Sequence, residues 1–323
     1  MFLRPRMIGF TVTALFFLTG CTITSHEVEP LAAGRAFPFK ELKAMTSKPG
    51  PIKFQKVVAA NWKVDRSGLI NLKDPKAKEA GLVDGDEEVQ IYFYVIEHPQ
   101  FGRFIIDSGV ADVFKKNPEE APVAWLVKKF MHLERLDIHV TTHRWLEQNP
   151  GKLTALFLTH MHLDHIMGIP DFAKDVPVYV GPGEAQTRSF QNLFVAGTTD
   201  AMFEGQSSLR ELQFAPAADG NDLQTSDFFG DGSLFVLWVP GHTPGSLAFL
   251  INAEQGPQLV VGDTCHTRWG WEHHVAPGSF TSDQTMNAKS LDALEALASE
   301  IPGLKVHLGH QSATAPDKLE AAP

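Results

Sequence analysis

Cysteine is almost missing from this chain: 323 residues contain two, Cys21 and Cys265. That count excludes a cysteine-based zinc site. No disulfide framework is expected either, because Cys21 closes an N-terminal targeting segment. A basic excess is also missing. The formal net charge is -10, which argues against a nucleic-acid partner, since that polyanion calls for a basic face. The N-terminal apolar run, Ile8 to Leu18, is too short to span a bilayer, which takes about 20 apolar residues. There is no internal repeat, and no Gly-x-Ser-x-Gly elbow of the kind that presents a nucleophilic serine. What remains is an ordinary globular mix, 43% hydrophobic and 20% charged, long enough for one large domain or two small ones.

Arg4 and Arg6 followed by that short apolar run form a processing signal. It ends in Leu18-Thr19-Gly20-Cys21, which resembles a bacterial lipobox and implies cleavage before Cys21 with lipid on its sulfur. The alternative is an ordinary secretory signal that happens to end in cysteine. Thr22 after the cysteine resembles outer-membrane sorting, so the expected location is a lipid-anchored, periplasm-facing or outer-membrane protein. Residues 1–20 are thus a signal peptide, and 21–50, rich in Pro, Gly, Ala and Lys, read as a tether. Residues 51–315 read as the globular domain, and 316–323 as a tail. Within the domain, short β-branched or aromatic runs bounded by turn residues predict strands at 54–60, 89–97, 103–107, 153–159, 176–180, 234–239, 247–251, 259–261 and 305–308. Helices are expected at 123–136, after Asp164, near 184–191 and at 291–299, the last with Leu291, Leu294 and Leu297 on one stripe. Strands interleaved with helices predict an α/β fold with covered sheets. Residues 192–230, polar and Gly-rich, read as an insertion or substrate-side loop.

The chemistry concentrates at strand exits. Thr159-His160-Met161-His162-Leu163-Asp164-His165 follows an apolar strand and packs four ligand-type residues into six positions. Imidazole and carboxylate together suit zinc and its borderline neighbours. The spacing lets His160 and His162 converge on one ion, with Asp164 and His165 aimed at a second. His242 lies in a Gly/Pro turn, Val239-Pro-Gly-His-Thr-Pro-Gly245. Asp263 ends the apolar run Leu259-Val-Val-Gly, and His310 ends Val306-His-Leu-Gly. Each of these alone is better explained by a satisfied polar residue. Together they make five histidines and two aspartates, the donor count of a two-metal site.

This set of motifs resembles the metallo-β-lactamase superfamily across residues 50–312. The resemblance implies a four-layer αββα sandwich with two divalent ions at one sheet edge, zinc first and Mn, Co or Fe as alternatives. It implies that His160, His162 and His242 hold one ion, that Asp164, His165 and His310 hold the other, and that Asp263 bridges them. Asp107 in Phe-Ile-Ile-Asp-Ser-Gly would orient the His loop. Gly-His-Thr-Pro-Gly at 241–245 and Gly-Asp-Thr-Cys-His-Thr at 262–267 are most similar to N-acyl-homoserine-lactone lactonases. The implied activity is opening of a lactone or ester by a metal-bridging hydroxide, with quorum quenching as a consequence and a small molecule as substrate. Asp164 would carry the proton to the leaving alkoxide. Where the lactonases have Asp-x-x-Tyr, this chain has His266, which would take the tyrosine's place as oxyanion donor. Ile166 and Met167 replace small residues and are expected to pack. Trp269, Trp271, Glu272, His273 and His274 read as a pocket wall or as core packing. His98, His132, His139, His143 and His307 are expected away from the metals, and Cys265 buried. Thioester, phosphoester and β-lactam hydrolysis remain alternatives, as does a non-catalytic lipoprotein keeping the fold.

Overall fold

The computed structural model describes residues 21–216 and 223–314. The predicted signal peptide and the tail from 316 lie outside these residues. In chain order the strands are β1 Cys21–Thr22, β2 Val28–Ala32, β3 Arg35–Ala36, β4 Lys53–Asp65, β5 Asp86–His98, β6 Gly102–Ile106, β7 Asp137–Ile138, β8 Leu153–Phe157, β9 Val178–Val180, β10 Arg188–Ser189, β11 Leu209–Gln213, β12 Thr225–Asp227, β13 Leu234–Trp238, β14 Leu247–Ala253, β15 Gly256–Val260 and β16 Lys305–His307. The α-helices are α1 Leu42–Met45, α2 Arg66–Leu69, α3 Pro75–Glu79, α4 Asp112–Lys116, α5 Trp125–Phe130, α6 Thr142–Gln148, α7 Leu163–Ile166, α8 Asn192–Met202, α9 Arg268–His273 and α10 Gln284–Glu300. An eight-stranded sheet runs β2-β11-β9-β8-β6-β5-β4-β7, and a six-stranded sheet runs β16-β15-β14-β13-β12-β3.

Side-chain alternation builds the layers. Along β5, Tyr92, Tyr94 and Ile96 share one apolar core with Val236, Phe249 and Ile251 of the second sheet. The intervening Ile91, Phe93 and Val95 face the other way, into a core with Phe114, Trp145 and Ile166 from helices and loops. On the second sheet Phe235, Leu237 and Leu250 turn outward onto Leu291, Leu294 and Leu297 of α10. Period-2 strands buried on both faces and one amphipathic helical stripe therefore produce three cores, which means four layers, helix-sheet-sheet-helix. The expected αββα arrangement is what these cores describe.

The strand expectations agree with the structure to within a few residues, but three other readings need correction. Residues 21–50 are no tether: β2 pairs in parallel with β11, β3 pairs with β12, and Ala33 and Leu42 are fully covered. Pro and Gly there punctuate short edge strands. The helix expected at 123–136 stops at Phe130, because His132 takes a left-handed φ of 51°. The helix expected at 184–191 lies further on, as α8. Polar residues share its buried side: Asn192, Thr198 and Thr199 are buried with Met202, while Leu193 and Phe194 are exposed. Consequently 192–230 is not one long insertion, since α8, β11 and β12 belong to the body of the fold.

Candidate metal centre

Five strand exits supply the centre. β6 leads into Asp107, β8 into the His160–His165 segment, β13 into His242, β15 into Asp263 and β16 into His310. The edge is stitched together by the backbone: Asp107 N–H donates to Phe157 O at 2.8 Å, and Leu247 N–H to Thr159 O at 2.8 Å. One donor atom from each of His160, His162, His242 and Asp263 forms a group, and one from each of Asp164, His165, Asp263 and His310 forms a second. Within each group the donor atoms lie within 4.8 Å of one another. Asp263 belongs to both, so the two groups share one carboxylate.

Asp263 Oδ2 is 3.6 Å from Nε2 of His160 and of His242, and 3.3 Å from Nε2 of His165 and of His310. His162 presents Nδ1, 2.9 Å from His242 Nε2, and His310 Nε2 is 3.1 Å from Asp164 Oδ2. Donors around a tetrahedral ion with bonds near 2.0–2.1 Å stand roughly 3.3 Å apart, so these spacings fit a cation between them. The unpaired atoms point the same way. Nε2 of His160, Nε2 of His165 and Oδ1 of Asp263 are buried without a hydrogen-bond partner, and such atoms are costly unless something binds them. Gly309 keeps the space open, since a Cβ there would stand 2.2 Å from Asp263 Oδ1.

The outer nitrogens of four histidines are held in place. His165 Nδ1 donates to Asp107 Oδ2 at 2.9 Å, and His310 Nδ1 to the Gln90 carbonyl at 2.9 Å. His160 Nδ1 faces Thr159 Oγ1, and His242 Nδ1 faces Thr281 Oγ1, both at 3.2 Å. Each leaves Nε2 pointing inward, the tautomer and orientation a ligand needs. Asp107 also accepts from Thr159 N–H at 2.8 Å and from its hydroxyl at 3.0 Å. Its φ of 60° turns the chain sharply enough to reach all of these. The orienting position expected for Asp107 is the one it occupies.

Charge divides the centre. Burial pushes the His160 and His242 imidazoles well down and takes His162 to about 4, so the three histidines of the first group stay neutral. In the second group burial also opposes charge, but the carboxylates outweigh it. Asp263, Asp107 and Asp164 hold His165 well above its ordinary value, and Asp263 and Asp164 take His310 to about 10. Burial works against the anionic forms of Asp164 and Asp263, yet the surrounding imidazoles keep both carboxyls far below the usual range.

His266 sits at the same edge, 2% exposed. Its Nε2 is 2.9 Å from Asp263 Oδ2 and its Nδ1 faces the Leu69 carbonyl at 3.2 Å. The ring therefore braces Asp263 as well as facing the centre. Glu184 was not expected here at all. It is 1% exposed and accepts from Met161 N–H at 2.7 Å, Thr243 Oγ1 at 2.6 Å and Gly245 N–H at 3.0 Å. One carboxylate thus ties the His160–His165 segment to the His242 turn. A single glutamate in a polar stretch carries no pattern that would reveal this.

Other histidines lie elsewhere, as expected. His307 Nε2 pairs with Gln258 and His98 with Asp231, both at 2.9 Å. Ile166 and Met167 are fully buried packing residues. The 269–274 cluster is not a pocket wall. Trp269 and Trp271 pack against the helix-side cores, and Glu272, His273 and His274 face solvent.

The chain is similar to the N-acyl homoserine lactonase AttM of Azorhizobium caulinodans, at 28% identity over 258 residues, covering 76% of this chain and 90% of the relative. It is likewise similar to the AttM lactonase of Rhizobium johnstonii, at 27% identity over 77% of this chain and 92% of the relative. Among solved structures, a quorum-quenching N-acyl homoserine lactone lactonase matches with a TM-score of 0.56 at 17% identity, covering 81% of this chain and 93% of that one. A structure described as a probable metal-dependent hydrolase from Staphylococcus aureus matches with a TM-score of 0.59 at 14% identity, covering 81% and 90%. At those identities the solved structures speak for the fold alone. The family model described as the metallo-beta-lactamase superfamily matches residues 86–310, a span that contains every residue of both donor groups. With its four layers and its edge of histidines and aspartates, the chain belongs to the metallo-beta-lactamase superfamily.

Proposed function

We propose that this protein is a dinuclear metal-dependent hydrolase that opens a lactone or another carboxylic ester. The observation that carries the reading is the pair of donor groups sharing Asp263, with unpaired buried atoms turned toward each other. His160, His162 and His242 would hold one ion, Asp164, His165 and His310 the other, and Asp263 both. When bound, the metal ions would supply Lewis acidity at the scissile carbonyl and a water made nucleophilic near neutral pH. The chain's own residues do the rest. Asp107, Thr159, Thr281 and the Gln90 carbonyl fix ring orientation. Asp164, with Oδ2 at 3.1 Å from His310 Nε2, would keep its second carboxylate oxygen to carry a proton toward the leaving alkoxide. With Nδ1 taken by the Leu69 carbonyl, His266 would have its Nε2–H, now 2.9 Å from Asp263 Oδ2, to offer a developing oxyanion once Asp263 turns to the metals. Likeness to the AttM lactonases favours lactones, N-acyl homoserine lactones among them, and the imidazole-and-carboxylate donor set favours zinc as the ion.

We also propose that the mature chain begins at a lipidated Cys21. Support comes from the Leu18-Thr19-Gly20-Cys21 sequence and from the exposure of Cys21 in the fold.

The test of the hydrolase reading is metal analysis joined to a substrate panel of acyl homoserine lactones, aryl esters, thioesters, phosphotriesters and nitrocefin. The expected result is about two equivalents of divalent metal per chain, with lactone turnover abolished by chelator and restored by zinc. A metal-free preparation with full activity would refute it.

A further inference from the structure

Helix α8 exposes what a surface helix normally hides. Leu193 and Phe194 face solvent, as does Phe190 just before the helix, while Asn192 and two threonines are buried. Helix α5 does the same with Trp125, Leu126 and Phe130. All six side chains are 50–69% exposed. The helices adjoin: Ala124 N–H donates to Thr198 Oγ1 at 3.1 Å. Phe194 stands one turn before Thr198 on the same helix face, and its ring lies 5.9 Å from that of Phe190. Contiguous apolar surface of this kind marks an interaction site.

Cys21 lies at its border. β1 pairs with β10, placing Cys21 opposite Ser189, next to Phe190. Asn192 Nδ2 of α8 donates to the Cys21 carbonyl at 3.0 Å. Thr24 and Ser25 then clamp onto Asp200 of the same helix, with Ser25 N–H at 2.8 Å and its hydroxyl at 2.7 Å. Because this segment is built into the fold, an acyl anchor on Cys21 could not swing free of the body. It would press α8 onto the membrane. Arg188 and Lys129, both exposed, flank the apolar side chains as interfacial cations do. At the far end, Phe130 meets Phe280 edge-on with ring centroids 6.2 Å apart, and Phe280 precedes Thr281, which faces His242.

We infer that the α5–α8 face, Trp125, Leu126, Phe130, Phe190, Leu193 and Phe194, docks onto the lipid bilayer beside the Cys21 anchor. The Phe130–Phe280 contact then brings the bilayer to the flank of the metal centre. The substrates that fit are amphiphilic acyl lactones or esters already partitioned into lipid. This rests on the lipoprotein reading above and adds to it an orientation and a substrate class.

The experiment uses the full chain made in a lipoprotein-processing bacterium and reconstituted in phosphatidylethanolamine–phosphatidylglycerol vesicles. Mass spectrometry reports the lipid on Cys21. Lipids brominated along the acyl chains report depth, through the emission lost on going from wild type to Trp125→Phe. Trp125 should be quenched roughly twofold or more. A Phe190→Ser/Phe194→Ser double variant should reduce that quenching. It should also raise the apparent KM several-fold for a long-chain acyl lactone presented in vesicles, while leaving kinetics on a short-chain, water-soluble lactone unchanged. A lipidated, vesicle-bound chain whose Trp125 is not quenched overturns the docking and leaves the anchor standing; burial of the patch in a dimer of the chain would appear this way. A Cys21 without lipid removes the anchor reading and the docking with it.

Discussion

Asp107→Asn separates orientation of the His loop from stability of the fold. Asparagine tolerates the left-handed φ of 60° better than most residues, and it keeps the volume of the aspartate. Its Oδ1 can still accept from Thr159 N–H. Its Nδ2, however, replaces the oxygen that accepts from His165 Nδ1 at 2.9 Å. Two N–H groups then face each other unless His165 changes tautomer, which would turn a protonated Nε2 toward the ion. One of the three carboxylates that surround His165 is lost as well. Removing an orienting partner of this kind typically weakens metal binding about 10- to 100-fold, equivalent to about 1.4–2.7 kcal/mol. The loss should fall on the ion held with Asp164 and His310, leaving the other nearly untouched. Competition against a chromophoric zinc chelator, resolved into two binding steps, is the assay. One step should weaken by that factor while the melting temperature of the metal-free protein moves little. Two unchanged steps, or two equally weakened ones, would refute the argument that Asp107 acts through His165. Asp107→Ala is the harsher companion: the Thr159 and His165 N–H groups lose their carboxylate acceptor at about 1–3 kcal/mol each, which should show as lost stability.

The other predictions are briefer. Glu184→Ala should lower the melting temperature and weaken the ion held by His160, His162 and His242, because three donors from two loops lose their common acceptor. Burial raises the Glu184 carboxyl above its ordinary value, so its contribution to stability is fully present below the unfolded-state value and declines as pH rises through the folded one; in urea titrations Glu184→Gln should lose that part of the pH dependence. Cys265 is 1% exposed and burial pushes its thiol up, so it should resist iodoacetamide in the folded protein and react only on unfolding. His266→Ala should cut turnover about ten- to a hundredfold while retaining two ions in excess zinc; loss of an ion under those conditions would make His266 a ligand instead. His266→Tyr should retain lactone hydrolysis if the pocket accepts the hydroxyl, measured as kcat/KM on the same substrate.

The centre was legible in the sequence because metal chemistry constrains residue type as well as position. Few residues offer a nitrogen or carboxylate donor, and the exits of adjacent strands bring distant segments to one edge. His160 through His165 announced itself by density alone, and His242, Asp263 and His310 then acquired meaning from it. Strands were legible for a related reason, since both faces of each main sheet are buried and apolar runs such as Val89 to Glu97 stand out. Glu184 was illegible because its role is to accept from two backbone N–H groups and one hydroxyl. Backbone donors exist at almost every residue, so no spacing singles out the acceptor that serves them.

Residues 21–50 and α8 were misread through one shared assumption, that polar or Pro/Gly-rich segments lie outside the core and apolar ones inside. In α8 the polar residues hold the architecture together. Asn192 reaches the Cys21 and Thr187 carbonyls, Thr198 receives Ala124, and Asp200 holds Thr24 and Ser25. Those bonds explain both errors together, because the segment after Cys21 is ordered by the same helix that leaves Leu193 and Phe194 exposed. A helix facing only water gains nothing from exposing Leu193 and Phe194, whereas one held against lipid by an adjacent acyl chain gains from each of them. Exposure of Leu193 and Phe194 beside Cys21 is therefore the feature that the proposed docking accounts for, and the side on which α8 lies is the side that the proposal turns to lipid.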